Sequence, residues 1–236
     1  MARRSRLAVR AIAQPLDFSI VAQAAPELAQ GVAVSLEIAA VGVVCALGVG
    51  VVGAAMRISS NLAARTASAA FAEFFRNTPP LVQIYFLYFG LPAIPLVGPA
   101  LRLPSIVAAT LALVLHQGAI NIEILRAGLQ AVPEGQREAA AAIGLRRIDQ
   151  LRDVLVPQAI RISLPALGNN VISFLKNTSL VSSIGVLDLL GVANDQIAIA
   201  LVSAQFYLTV AAIYIVLVGI VGTAFRLLER RFAVAR

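Results

Sequence analysis

Lys176, Asn177, Thr178 and Ser179 form an unbroken polar run inside an otherwise apolar stretch. Together they supply one cation and several hydrogen-bonding groups, a set suited to a carboxylate moving past. The same groups would equally make a hydrogen-bonding cluster between helices. Glu73 and Arg76 are three residues apart, on one helical face, where opposite charges can neutralise each other; Glu123 and Arg126 repeat the spacing. Both pairs read as charge-balanced packing contacts, and Glu73 and Arg76 are also candidates for a polar path. Glu37 is an isolated carboxylate that could meet an amine or reach towards lipid headgroups. His116, the only histidine, has no Cys, Asp or Glu at ligand spacing beside it, and reads as a packing or hydrogen-bonding residue rather than a metal ligand.

Other chemistry is excluded by composition. The only lysine, Lys176, follows Leu175, so the phosphate-binding pattern GxxxxGK followed by Ser or Thr cannot be written anywhere. GxSxG, HExxH and a paired-carboxylate cleft are absent too, and one histidine with one cysteine leaves few nucleophile–base pairs. The expectation is a chain that is not an enzyme and binds no metal or cofactor of its own.

The elements that must position these residues follow from hydropathy. Of the 236 residues, 59% are hydrophobic and 13% charged, against about 25% charged in an average chain, and the mean hydropathy is +0.87. Several apolar runs of roughly 20 residues match a bilayer core. The fold class is all-α, a polytopic helical membrane protein of about five transmembrane helices. The spans are predicted at 32–56, 66–91, 105–125, 164–190 and 197–227, inside a membrane domain 31–232 flanked by an N-terminal tail, 1–30, and a C-terminal tail, 233–236. Gly42, Gly48, Gly50 and Gly53 in the first span suit close helix packing, and Cys45 beside them reads as a small buried hydrophobe. Pro79 and Pro80 remove two backbone donors, so the second span should kink or break. Such irregular backbone survives at membrane depth only when buried in protein or lining a cavity. Asp188 and Asp195 are expected to bracket a short loop before the last span.

Arginine is the guide to orientation. The net charge of +7 rests almost wholly on arginine. Twelve arginines fall in 57–65, 126–161 and the tail from 226, while the loops of the other face hold only Arg102. Basic residues collect on the cytoplasmic side, which places those three regions inside and the N-terminus outside. Arg3, Arg4, Arg6 and Arg10 argue the other way. The basic balance therefore reflects membrane topology and not a nucleic-acid partner.

Between the third and fourth spans lies a long polar interruption, 127–160. Pro133 suits a first helical turn, and Glu134 and Glu138 lie at the positive end of the helix dipole. Ala139 to Ala142 make a smooth face, and Gly144 is the expected left-handed helix stop. A second helix should follow through Arg147, Gln150 and Asp153 and end at Pro157. This compact handle, 131–157, could dock a partner or could be an ordinary surface loop.

The residues of this handle carry a resemblance. Glu138-Ala139-Ala140, Gly144 and Val154-Leu155-Val156-Pro157 resemble the EAA motif of binding-protein-dependent ABC importer permeases, which usually have Ile and Leu where this chain has Val154 and Val156. FRNTPPLVQ (75–83), EILRAGLQAVPEGQ (123–136) and LKNTSLVSSIGV (175–186) are similar to the polar amino-acid branch of that family, and the likeness spans about residues 28–232. It implies a permease in the bacterial inner membrane that moves polar or charged amino acids. Its expected partners are a second permease copy or paralogue, two cytoplasmic ABC ATPase subunits holding ATP and Mg, and an extracytoplasmic solute-binding protein. Arg137, Glu138, Ala139, Ala140, Gly144 and Pro157 would form the ATPase-coupling element. Lys176, Asn177, Thr178, Ser179, Arg76, Glu73 and Glu37 would line the substrate path, and Glu123 and Arg126 would form a structural pair. Two other classes remain: an ion-coupled secondary carrier using Glu73 and Glu123, which the lack of an inverted repeat disfavours, and a non-transporting membrane scaffold.

Overall fold

The computed structural model describes residues 17–95 and 98–232. Arg3, Arg4, Arg6, Arg10 and the tail 233–236 lie outside the described residues. Among the described residues every regular element is helical.

A short α1 (Ser19–Gln23) leads into α2 (Ala25–Ile58). A proline in the first turn of α2 needs no donor there, and Glu27 and Arg57 at its two ends complement the helix dipole. At 34 residues the helix is roughly 50 Å long, more than a bilayer core requires. It therefore begins inside what the sequence marked as a tail. α3 (Leu62–Asn77) starts where the Asn61 side chain accepts from the amides of Ala63 at 2.9 Å and Ala64 at 3.3 Å. It stops at Asn77. Thr78 and Pro79 are extended, and α4 (Pro80–Tyr85) resumes into a wide turn, Phe86–Gly90, and 3-10 turns at Leu91–Ala93 and Gly98–Leu101.

The central element is α5 (Ser105–Gln130), packed against α2, α3, α4 and the later helix α8. Alanines make this possible: Ala108, Ala109, Ala112 and Ala119 on α5 are fully buried, as is Ala46 on α2. Small side chains let helix backbones approach where lipid offers no hydrophobic drive for association. Gly42, Gly50 and Gly53 pack against Phe174, Asn121 and Ile122, whereas Gly48 faces outward with nothing near it. Cys45 also departs from expectation and is exposed on the outer face of α2. It lines a shallow apolar groove with Val41, Ile106 and Leu111.

The handle comprises α6 (Glu134–Ala142) and the single turn α7 (Arg147–Asp149), which widens through Gln150–Leu155 directly into α8 (Val156–Asn177). Pro157 therefore ends no helix. It sits in the first turn of α8, at the junction with the wide turn. Pro133 likewise precedes the first residue of α6 rather than joining it. Beyond Asn177 the chain tightens into a 3-10 segment, Thr178–Ile184, and turns at Gly185 (φ 79°). α9 (Leu189–Ala200) follows, and after Leu201 the last helix, α10 (Ala204–Phe232). The predicted loop between Asp188 and Asp195 is thus helix, because the Asp188 carboxylate caps α9 by accepting from the Gly191 amide at 2.9 Å. The fourth span begins earlier than expected and breaks near 178, and residues 197–200 belong to α9 rather than to the last span.

α2, α5 and α10 are each long and apolar enough to cross a membrane, and the pair 147–184 and Leu189–Ala200, bent by 44°, supplies a further one. The main core gathers Ile38, Ala46, Ile84, Leu113, Phe174 and Val181, and a second cluster joins Val21, Leu28, Leu189 and Phe206. α10 keeps much of its apolar surface outward, with Ile215, Val216, Ile220 and Leu227 exposed.

Candidate functional site

Two polar constructions stand out from the apolar bundle: the handle at one end and a set of polar groups within the spans.

In the handle, Gly144 adopts φ 80° with open space around it. The Leu145 amide donates to the Ala140 carbonyl at 3.2 Å, and the Gly144 amide to Ala141 at 2.9 Å. This double closure satisfies the last carbonyls of α6 and reverses the chain. Ala140 is buried at 4% exposure and packs α6 against the turn Gln150–Leu155. Glu138 and Ala139 face outward, as do Arg137 and Gly135. Ile143 and Ile148, at 77% and 61% exposed, flank the reversal. Two large apolar residues on the open side of a charged element were not singled out by spacing; their positions on either side of Gly144 were the available signal. Arg146 binds Asp149 at 2.8 Å and Arg152 binds Asp153 at 2.7 Å. The hydrogen-bonded Arg152 guanidinium holds the Asp153 carboxyl below the usual carboxylate range.

A charge clasp ties the end of α2 to the end of α5, just before the handle begins. Glu123 binds Arg126 at 2.8 Å and also Arg57, at the end of α2, at 3.2 Å; Arg126 reaches on to Gln130 at 2.6 Å. Arg57 is the partner that spacing along one helix could not reveal. Ser163 on α8 donates to the Ile124 carbonyl at 3.3 Å, and Gly128 beside it leaves room for that close approach.

Within the spans, the break at Pro79 is closed by side chains. Neither proline nitrogen can donate to the carbonyls of the preceding turn. The Gln83 amide instead donates to Phe75 at 2.8 Å and to Thr78 at 2.9 Å, and His116 Nδ1 lies 2.9 Å from the same Phe75 oxygen. Both Gln83 hydrogens are used, so the Nδ1 proton belongs to the bond with Phe75. His116 is a hydrogen-bonding residue that splices a broken helix.

Lys176 is exposed and makes no ion pair among the described residues. It shares a helical face with Asn169 and Ser173, at i, i+4 and i+7, so the polar stripe runs farther down α8 than the run 176–179 suggested. Thr178 is fully buried and donates to Leu175 at 2.8 Å, and Ser179 donates to Lys176 at 2.8 Å. The two hydroxyls thus close the 3-10 turn rather than pointing free beside the lysine. Glu73 and Arg76 are both exposed on α3, with no ion pair between them among the described residues. Glu37 is exposed at the edge of the groove beside Cys45.

Two buried clusters were not legible as such. Asn170 donates to Asn121 at 2.8 Å and to the Gln117 carbonyl at 3.2 Å, between α8 and α5. Asp188, fully buried, meets the Tyr214 hydroxyl at 3.4 Å, while Ser35 on α2 accepts from the Leu189 amide at 3.1 Å. This second node joins α2, α9 and α10.

Helices long and apolar enough to cross a membrane, with polar side chains set among them, define a polytopic membrane protein. Residues 41–234 match the family described as binding-protein-dependent transport system inner membrane component, and the chain belongs to it. It is similar to the octopine transport system permease protein OccM of Rhizobium radiobacter, 37% identical over 91% of this chain and 89% of that one. It is also similar to the glutamine transport system permease protein GlnP of Escherichia coli K12, 33% identical over 92% and 98%. A chain in a crystal structure of an amino acid ABC transporter with histidines superposes with a TM-score of 0.86 at 33% identity, covering 92% of this chain and 100% of that one. A chain of the inward-facing MetNI methionine ABC transporter, at 20% identity and TM-score 0.74, shares the fold.

Proposed function

We propose that this chain is the permease subunit of an ATP-driven importer of polar or charged amino acids in the bacterial inner membrane. The observation that carries the reading is the handle, a helix with Glu138 and Ala139 outward, locked by the Gly144 reversal and flanked by exposed Ile143 and Ile148. Family membership and relatives named for glutamine and octopine transport support the substrate class.

In this reading two cytoplasmic ABC ATPase subunits hold ATP and Mg and receive the outward face of α6. Ala140 and Pro157 act from behind it, one seating the helix and the other starting α8. A push on α6 passes through the wide turn into α8, whose face carries Asn169, Ser173 and Lys176. Alternating access then amounts to rigid movement of α8 and its neighbours around that stripe. Lys176 meets the substrate carboxylate, with Glu73, Arg76 and Glu37 farther along the path. A second permease copy or paralogue covers the exposed apolar faces, a solute-binding protein delivers substrate from outside, and the N-terminus lies outside with the handle and C-terminus cytoplasmic.

The test is uptake in proteoliposomes holding this chain, its partner permease and a cognate ATPase, with the solute-binding protein supplied on the outer face. ATP should drive uptake, and Lys176→Met should reduce it while the ATPase still hydrolyses ATP. Uptake sustained by an ion gradient without ATP would replace this reading with a secondary carrier.

A further inference from the structure

A cavity of about 500 Å³ opens where the handle meets the membrane helices. Ile58, Leu129, Leu151 and Leu155 give it an apolar lining, and Arg137, Arg147 and Gln150 a polar one. Ile58 is the last residue of α2 and Leu129 lies in the last turn of α5. The cavity therefore lies at the ends of two membrane helices, just beyond the spans expected at 32–56 and 105–125.

Its charge is unbalanced. Among the described residues no carboxylate lines it. Asp149 and Asp153, near Arg147 in sequence, are engaged elsewhere, by Arg146 and Arg152, and Glu138, next to Arg137, is exposed and lies outside the lining. Arg137 has only a long contact of 3.9 Å with Glu134, both side chains being mostly exposed, and Arg147 has no ion pair among the described residues. Guanidinium forks match phosphate oxygens in pairs. An apolar lining beside two such forks, at the bilayer surface, fits a molecule with a phosphate at one end and acyl chains at the other.

We propose that this cavity binds the phosphate headgroup of an anionic phospholipid, held by Arg137 and Arg147 with its glycerol and acyl carbons against Ile58, Leu129 and Leu151. The two arginines lie on opposite sides of Gly144, so the bound headgroup bridges α6 and α7 and stiffens the hinge between them. The importer reading supplies only the side of the membrane, the cytoplasmic leaflet, where anionic lipid attracts basic segments.

The test titrates the purified full chain, in neutral detergent and without an ATPase, with phosphatidylglycerol, phosphatidylcholine or inorganic phosphate, reading thermal unfolding. Phosphatidylglycerol should raise the midpoint saturably, and the other two should not. Arg137→Gln with Arg147→Gln should weaken the apparent affinity about fivefold per guanidinium, roughly thirtyfold together, whereas Arg152→Gln should leave it unchanged. The pair Arg137→Lys and Arg147→Lys, which keeps charge and loses the fork, should bind several-fold more weakly and serves if the Gln pair does not fold. Equal stabilisation by phosphatidylcholine, by inorganic phosphate, or in both arginine pairs overturns the site. Failure of phosphatidylglycerol to stabilise the unsubstituted chain overturns it equally. Because the readout needs no transport, failure of ATP-driven uptake would leave a positive lipid result standing.

Discussion

The Leu145 amide donates to the Ala140 carbonyl across Gly144 at 3.2 Å, closing α6 around a residue with φ 80°. A β-carbon at that φ strains the backbone by about 1 kcal/mol or more, and asparagine tolerates it best after glycine. Gly144→Asn should therefore retain coupled uptake. Gly144→Asp adds a charge in the proposed docking face and should insert normally yet separate ATP hydrolysis from uptake, read by measuring both in the same proteoliposomes.

Glu123 holds Arg57 and Arg126 together, tying the end of α2 to the end of α5. Glu123→Gln leaves two cations facing each other with their shared anion gone. The expected loss is about 1–3 kcal/mol, since the group is largely but not fully buried, seen as a lower unfolding midpoint in detergent. Reversing Arg126 alone should not restore it, because Arg57 is the second partner.

Gln83 and His116 share the Phe75 carbonyl that Pro79 leaves without a donor. Gln83→Leu should cost about 1–3 kcal/mol for the freed carbonyls of Phe75 and Thr78. His116→Ala should cost less while Gln83 remains. Acting on one acceptor, the two substitutions should combine non-additively in a double-mutant cycle of unfolding midpoints.

Gln117 is 1% exposed, and neither polar atom of its side chain has a partner among the described residues. Replacing a buried unpaired amide by a side chain of similar size removes its desolvation cost. Gln117→Leu should raise stability by about 1–3 kcal/mol, whereas Asn121→Leu, which breaks the 2.8 Å bond to Asn170, should lower it.

Much of this was legible from local sequence. The expectation at Gly144 rested on a polar, alanine-rich segment ending in glycine, and the left-handed stop appears there because that geometry depends only on adjacent residues. The break at Pro79 and Pro80 follows from two missing donors, again a local property. The i, i+3 pairing of Glu123 with Arg126 is also local and is made, whereas the identically spaced Glu73 and Arg76 stay apart on an open face of α3, where solvation competes with pairing. Pro157 departs from expectation for a related reason. A proline marks either the end of one helix or the start of the next, and here the wide turn Gln150–Leu155 lets the chain pass into α8 without stopping.

What the sequence determined by itself was the class of the molecule and the glycine reversal within its handle. Apolar runs of span length must be helical in lipid, because every backbone group has to be satisfied within the segment, and arginine marks the polar end. Only the tertiary structure decided which polar groups meet. Ser35 accepts from Leu189 across 154 residues, Asn170 finds Asn121 across 49, and His116 reaches Phe75 across 41. Pairings over such distances are set by how the helices cross, and helix crossing depends on shape along whole faces rather than on any short motif. The same applies to the cavity beneath the handle, whose lining combines the ends of two spans with both sides of the Gly144 hinge.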